Sequence, residues 1–232
     1  YRTGGTETTL SPAVTHARAG QATMADSDGL LKWAPHNLLK FPEDYAVNGW
    51  YRTQYTVTEN NGLAPDGTTT ANLVSTTSGS TSYLMDDGTA FTNTGNYTLK
   101  VWAKANTGGS TLRMWMWMLG GSAGSSGITT FNLTNEWQLL EVNASITTVG
   151  TARIRIDQPN TGASTFYLWG AHAYRSDLGG MVNNTSQPTG LETYVPTSSS
   201  PVYLPRVGHH VYNGSAWVNE GILHESEART NL

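Results

Sequence analysis

Cysteine is absent from all 232 residues, which excludes disulfide staples and thiolate metal sites and leaves packing as the source of stability. Charge is scarce too: 13% of residues are Asp, Glu, Lys or Arg, about half the usual share near 25%. With 13 Lys and Arg against 17 Asp and Glu, the formal net charge is −4. No basic field is available to capture nucleic acid phosphates or an anionic membrane surface. No apolar run approaches the roughly 20 residues of a membrane-spanning helix. The opening Tyr1-Arg2-Thr3-Gly4-Gly5 is neither a signal peptide nor led by Met, so the chain is expected to be a fragment, a processed product or the ordered part of something longer. Helical periodicity is also missing, as are Gly-x-Ser-x-Gly, His-Glu-x-x-His and a phosphate-cradling loop. Glu43, Asp44, Asp86, Asp87 and Asp157 are acids of the kind that cleave glycosides in pairs. Any domain of this size carries as many, so no enzyme and no catalytic residue is expected.

What the chain does have is glycine, threonine, serine and asparagine in quantity, and eight tryptophans. Short alternating runs bounded by Gly, Asn, Asp and Pro recur throughout, the pattern of β-strands separated by turns. Strands are expected at Ala71–Ser75, Ser82–Met85, Gly95–Ala105, Thr111–Leu119, Ile128–Asn132, Trp137–Ile146, Ala152–Gln158 and Thr165–Tyr174. Eight such strands predict an all-β fold, a jelly-roll β-sandwich of two antiparallel sheets.

The run Arg113-Met114-Trp115-Met116-Trp117-Met118 defines one strand's two faces. Successive side chains of a strand point opposite ways, so Leu112, Met114, Met116 and Met118 share an apolar face while Arg113, Trp115 and Trp117 share the other. The same logic sets Tyr97, Leu99, Val101 and Ala103 against Thr98, Lys100, Trp102 and Lys104, and Ala152, Ile154 and Ile156 against Arg153, Arg155 and Asp157. Two hairpins are expected outside this block: Ala22–Ala25 with Leu30–Trp33, and His210–Tyr212 with Ser215–Val218 across an Asn213-Gly214 turn of type I′. Each would pack on the sandwich or on a neighbouring chain. Thr185–Gly190 and Pro196–Pro201 read as linkers, the second as a domain edge.

Several spaced segments resemble one family. Asn37-Leu-Leu-Lys-Phe-Pro-Glu-Asp-Tyr45 followed by Asn48-Gly-Trp50, Ala64-Pro-Asp-Gly-Thr-Thr-Thr-Ala71, Tyr97–Lys104, Trp137-Gln138, Tyr167-Leu-Trp-Gly-Ala171 and Tyr194-Val-Pro-Thr197 occur in order. They resemble the carbohydrate-binding-module-like jelly rolls of bacteriophage virion proteins, over roughly residues 37–197. Departures fall at Phe41-Pro42 and at His172-Ala-Tyr174, where the family has other residues. The flanks 17–29 and 206–221 resemble connectors between virion modules, and Glu225–Leu232 resembles the lead-in to a further module. The resemblance implies a virion structural protein of tail fibre, tail tip or head decoration, with virion proteins as partners, a homo-oligomer such as a trimer, and glycans as candidate ligands. The alternative is a carbohydrate-binding module of a secreted polysaccharide-degrading enzyme. The division expected is an N-terminal arm (1–36), the jelly roll (37–197) and a C-terminal connector (198–232).

Three constellations carry candidate chemistry. Trp102, Arg113, Trp115, Trp117, Arg153 and Arg155 combine flat rings, which stack on the apolar faces of sugars, with planar donors for hydroxyls or acidic groups. The competing reading covers these residues with a flank or a neighbouring subunit. Asp66, with Asp86-Asp87-Gly88 and Asp157, offers oxygens to a structural Ca²⁺, against the reading of the Asp-Gly pairs as plain turns; no other cofactor is read. His209, His210 and His224 with Glu220, Glu225 and Glu227 gather metal-ligand types, yet adjacent histidines on a strand point apart, which favours surface or interface positions.

Overall fold

A computed structural model describes residues 2–3, 6–7, 18–46, 49–76, 82–119, 126–159 and 162–223. Before the main body lie β1 (Arg2–Thr3), β2 (Thr6–Glu7), the hairpin β3 (Thr23–Ala25) and β4 (Leu31–Trp33), and the short β5 (His36–Asn37). The body comprises β6 (Trp50–Thr53), β7 (Tyr55–Gly62), β8 (Ala71–Thr76), β9 (Ser82–Asp86), β10 (Thr89–Phe91), β11 (Gly95–Ala105) and β12 (Ser110–Met118). It continues through β13 (Thr129–Leu133), β14 (Gln138–Ile146), β15 (Gly150–Gln158) and β16 (Ser164–Arg175). After it come β17 (Val202–Tyr203), β18 (Val207–Tyr212) and β19 (Trp217–Ile222). The eight strands expected from alternation are all present to within two residues at each end.

Two antiparallel sheets face each other. One runs β13-β12-β15-β9-β6 with β10 also pairing β15, six strands in all; the other runs β14-β11-β16-β8-β7, five strands. The space between them is filled as the alternation dictates. Leu112, Met114, Met116 and Met118 from β12 are buried, with Ile154 and Ile156 from β15 and Tyr97, Leu99 and Val101 from β11. The methionine face of the Arg113–Met118 ribbon therefore lies inside the sandwich and its indole face outside. Fully burying a side chain of this size contributes roughly 1.5–3 kcal/mol, and β12 supplies four in a row.

Strand β16 departs from strict alternation. Phe166 and Leu168 point inward, and so do Ala171 and Ala173, a change of parity caused by a β-bulge opposite Lys100–Trp102 of β11. Gly170 sits in it at φ 64°, where a side chain is disfavoured. The bulge turns both Trp169 and His172 to the outer face, where both are buried.

That burial comes from β5 and from the chain that follows β16. Beyond Thr185–Gly190, which read as a linker, Leu191 and Tyr194 pack with Trp169, Ala64 and Ala71 on the five-stranded sheet, and Trp102, Trp137 and Tyr167 sit against this cluster. Buried Asn37 fastens the entry of the sandwich. Its amide nitrogen donates to Ala171 O (3.1 Å) and Val195 O (2.9 Å), and its oxygen accepts from Leu39 N (3.0 Å) and Ala173 N (3.1 Å). Strand β17 pairs with β5. The two terminal hairpins meet each other: Ala25 N donates to His209 Nδ1 (3.1 Å), and the Trp217 indole fills the space over Gly29.

The C-terminal hairpin differs from the expected type I′ turn. Tyr212 pairs with Trp217, leaving four residues in the loop. Only Gly214 has positive φ, and Asn213 Oδ1 accepts from the nitrogens of Ser215 and Ala216 (both 3.0 Å). The asparagine works here through its side chain, closing an Asx-type turn.

Candidate glycan-binding face

The outer face of the six-stranded sheet is built by register. On β12 and β15, Arg113 lies opposite Asp157, Trp115 opposite Arg155, and Trp117 opposite Arg153. On the far side of β15, Asp157 pairs with Tyr83 and Arg155 with Met85. Beyond β9, Tyr51 pairs with Met85. Period-two alternation thus projects Arg113, Trp115, Trp117, Arg153, Arg155, Asp157, Tyr83 and Tyr51 to one side.

These side chains hold each other in place. Arg113 donates Nε to Asp157 Oδ1 (2.8 Å) and an Nη to Oδ2 (2.9 Å), a bidentate pair; Arg155 donates to the same Oδ2 at 3.2 Å. The Asp157 side chain has no exposure, while those of Arg113 and Arg155 keep 29% and 22%. Hydrogen bonding to Asp157 holds the Arg113 guanidinium more firmly protonated than usual. The Arg155 guanidinium lies 4.1 Å from the Tyr83 ring centroid and 4.8 Å from that of Trp115, and Arg153 lies 5.4 Å from the Tyr51 ring. Trp115 and Trp117 are 6.1 Å apart at 31°, both half-buried, and Tyr51 is 52% exposed. Among the described residues, the ring and ion-pair contacts of these side chains run to one another. Ser126 N donates to Met116 O (2.8 Å), returning the chain beside the indoles.

Five of the six residues picked from the sequence come together here. Trp102 does not: β11 belongs to the five-stranded sheet, so its outward face is the opposite side of the sandwich, where the indole packs against the Trp169–Tyr194 cluster. The cover on Trp102 comes from Leu191 and Tyr194, within the expected module, and among the described residues no contact of this kind is recorded for Trp115 or Trp117. The sequence reading missed Tyr51 and Tyr83. Tyr83 alternates correctly in the expected strand Ser82–Met85, and its ring was the available signal; Tyr51 lies on β6, which was not expected.

The calcium reading finds no shared site. Asp66 Oδ1 accepts from Thr68 N (2.9 Å) and Thr68 Oγ1 (2.7 Å) in an exposed turn, whereas Asp157 is committed to two arginines in the other sheet. Asp86 likewise serves its own turn, accepting from Gly88 N and Thr89 Oγ1 (3.2 and 2.9 Å). Among the described residues no three of His, Asp and Glu gather to hold a metal ion. His209 faces Ala25; His224, Glu225 and Glu227 lie outside the described residues. A cleft of about 450 Å³ is lined by Thr76, Ser110, Thr111, Gln158, Ser164 and Thr165 among others, drawn from both sheets. Its hydroxyls are partly satisfied internally, as in the 2.6 Å Ser110–Ser164 bond.

No protein-family model and no curated protein matches the chain. Among solved structures it is similar to TmCBM61, determined with β-1,4-galactotriose, at 15% identity and a TM-score of 0.44 over 60% of this chain and 98% of that one. It is also similar to the family 11 carbohydrate-binding module of Clostridium thermocellum, determined with a β-1,3-1,4-mixed-linked tetrasaccharide, at 11% identity and a TM-score of 0.40 over 61% and 96%. A third similarity is to the enzymatically active domain of tailspike protein 4 of bacteriophage CBA120, at 16% identity and a TM-score of 0.46 over 59% and 21%. With each TM-score below 0.5, any functional argument rests on the geometry of the face itself.

Proposed function

We propose that the chain is a glycan-binding β-sandwich that performs no chemistry, carried by a bacteriophage virion component such as a tail fibre, tail tip or head fibre. One observation carries the binding half: Trp115 and Trp117 lie side by side, partly open, on a sheet face where Arg155 is held between the Tyr83 and Trp115 rings. Indole faces stack on the C–H faces of sugar rings, and fixed planar donors beside them meet hydroxyls. The virion half is supported by the ordered motifs from Asn37 to Thr197 and by the connector-like flanks. Repetition in a homo-oligomer would raise the avidity of a weak single site through effective concentration.

A glycan array with the purified chain, followed by titration of any hit, tests the binding half. Wild type is expected to bind, and Trp115→Ala and Trp117→Ala each to weaken binding by about tenfold, roughly 1.4 kcal/mol, with the melting temperature little changed because both indoles lie outside the core. Binding untouched by either substitution would refute the assignment of this face. Mass spectrometry of purified particles tests the virion half, with peptides of this chain the expected result.

A further inference from the structure

The face has an electrostatic character at odds with the rest of the chain. Overall the protein is acidic, at −4, yet among the described residues this side of β12 and β15 carries Arg113, Arg153 and Arg155 against Asp157 alone. Three guanidiniums facing one carboxylate leave two positive charges in excess. The carboxylate is fully buried beneath them, so what a ligand meets is cationic.

Nor are the arginines used up by the fold. Arg113 spends two of its five N–H donors on Asp157, and Arg155 spends one on the same partner. Arg153 has no hydrogen bond or ion pair among the described residues, and its one recorded contact is the Tyr51 ring; its Nε and that of Arg155 are buried without a hydrogen-bond partner. Arg153 lies opposite Trp117 as Arg155 lies opposite Trp115, so the motif of one ring beside one cation occurs twice along the strand direction. A guanidinium matches a carboxylate or sulfate in a two-point geometry that no neutral hydroxyl reproduces.

Resting on the glycan-binding reading above, we infer that the ligand class of this face is an acidic polysaccharide, with sugar rings on Trp115 and Trp117 and its carboxylates or sulfates on Arg153 and Arg155. A neutral glycan would offer Arg153 single hydroxyl contacts in place of that charge-assisted two-point pairing.

The test compares polymers differing in charge but not in backbone. Polygalacturonate, alginate and hyaluronate are each titrated beside their methyl esters, with polyglutamate as an anion that has no sugar rings. At least one acidic polymer is expected to bind tenfold or more tightly than its own ester, and to lose that advantage in 0.5 M salt, as screening requires. Arg153→Gln, on the outer face and clear of the core, is expected to bring acid and ester within threefold of each other while retaining the wild-type melting temperature. Equal binding of acids and esters, abolished by Trp117→Ala, would overturn the acidic preference and leave the glycan site standing. Polyglutamate binding as tightly as the best acidic polymer would also overturn it, as charge attraction without sugar recognition. Failure of every acidic polymer, with neutral glycans bound, overturns the inference alone; failure of all glycans overturns the binding reading with it.

Discussion

At the level of single residues, the signature segments and the candidate site separate cleanly. Asn37, Trp50, Trp169 and Tyr194, all within the motifs that carry the family resemblance, are buried, and their polar atoms work for the fold. Trp169 Nε1 donates to Thr70 Oγ1 (2.9 Å), Trp50 Nε1 to Phe41 O (3.1 Å), and Tyr194 OH to Glu43 Oε1 (2.6 Å). Asn37 is the sharpest case, since its four hydrogen bonds join the start of the sandwich, the bulged strand and the strap that follows it. Asn37→Ala is expected to cost about 2–4 kcal/mol, given 1–3 kcal/mol for each buried group left unpaired, read as a lowered denaturant midpoint with unchanged slope. An effect below 1 kcal/mol would mean that water takes over these partners. The face residues appear in none of the motifs except Trp102, the one that the structure moves away from the site. A resemblance carried by Asn37-Leu-Leu39 or Tyr167–Ala171 therefore speaks for architecture, and specificity is written elsewhere.

Among the elements, what the sequence could convey depended on the range of the physics. Alternation is local, so the inward and outward faces of β11, β12 and β15 were legible in Tyr97–Lys104, Arg113–Met118 and Ala152–Gln158. Which sheet a strand joins is decided by pairing between residues distant in the chain, as in Arg113 with Asp157, and no local pattern contains it; Trp102 was misplaced for that reason. Strands β6 and β7 escaped notice because they bury little in a regular pattern, and β10 because its alternation lasts only three residues. Along β7 only Tyr55 is buried and polar Thr-Glu-Asn residues face water, as suits an edge strand. The bulge in β16 was hidden as well, since Trp169-Gly170 reads equally as strand or turn. Gly170→Ala tests it. The nearest atoms to an added methyl lie 3.5 Å away, so there is room, and the penalty should come from φ 64°, about 1–2 kcal/mol. Calorimetry is expected to show that loss with glycan binding intact; an unchanged melting temperature would mean that the backbone relaxes freely there.

Over the whole molecule, two buried imidazoles set a dependence on acidity. Burial pushes His36 down from 6.5 to about 4 and His172 down to about 3, with Arg18 and Arg175 beside the first and Lys100 beside the second adding to the effect. Both rings stay neutral in the folded state and would take protons on unfolding near pH 5, so the unfolded chain binds more protons and stability falls as pH drops below about 6.5. Asp86, pushed up to about 6 by burial, and Glu43, raised for the same reason, act in the opposite sense and offset part of this. Thermal melts are expected to show a falling midpoint from pH 6.5 to 4.5, flattened in His172→Gln and steepened in Asp86→Asn. A midpoint that rises as pH falls would mean that the carboxyls dominate.

The indole pair of β12 has a consequence beyond recognition. Two such chromophores 6.1 Å apart and tilted by 31°, locked between charged neighbours, couple their electronic transitions in a handed arrangement. The expected result is an optical gauge built into the protein: a paired positive and negative band in the ultraviolet circular dichroism, lost when either indole is removed and altered by anything that settles on them, with no label attached.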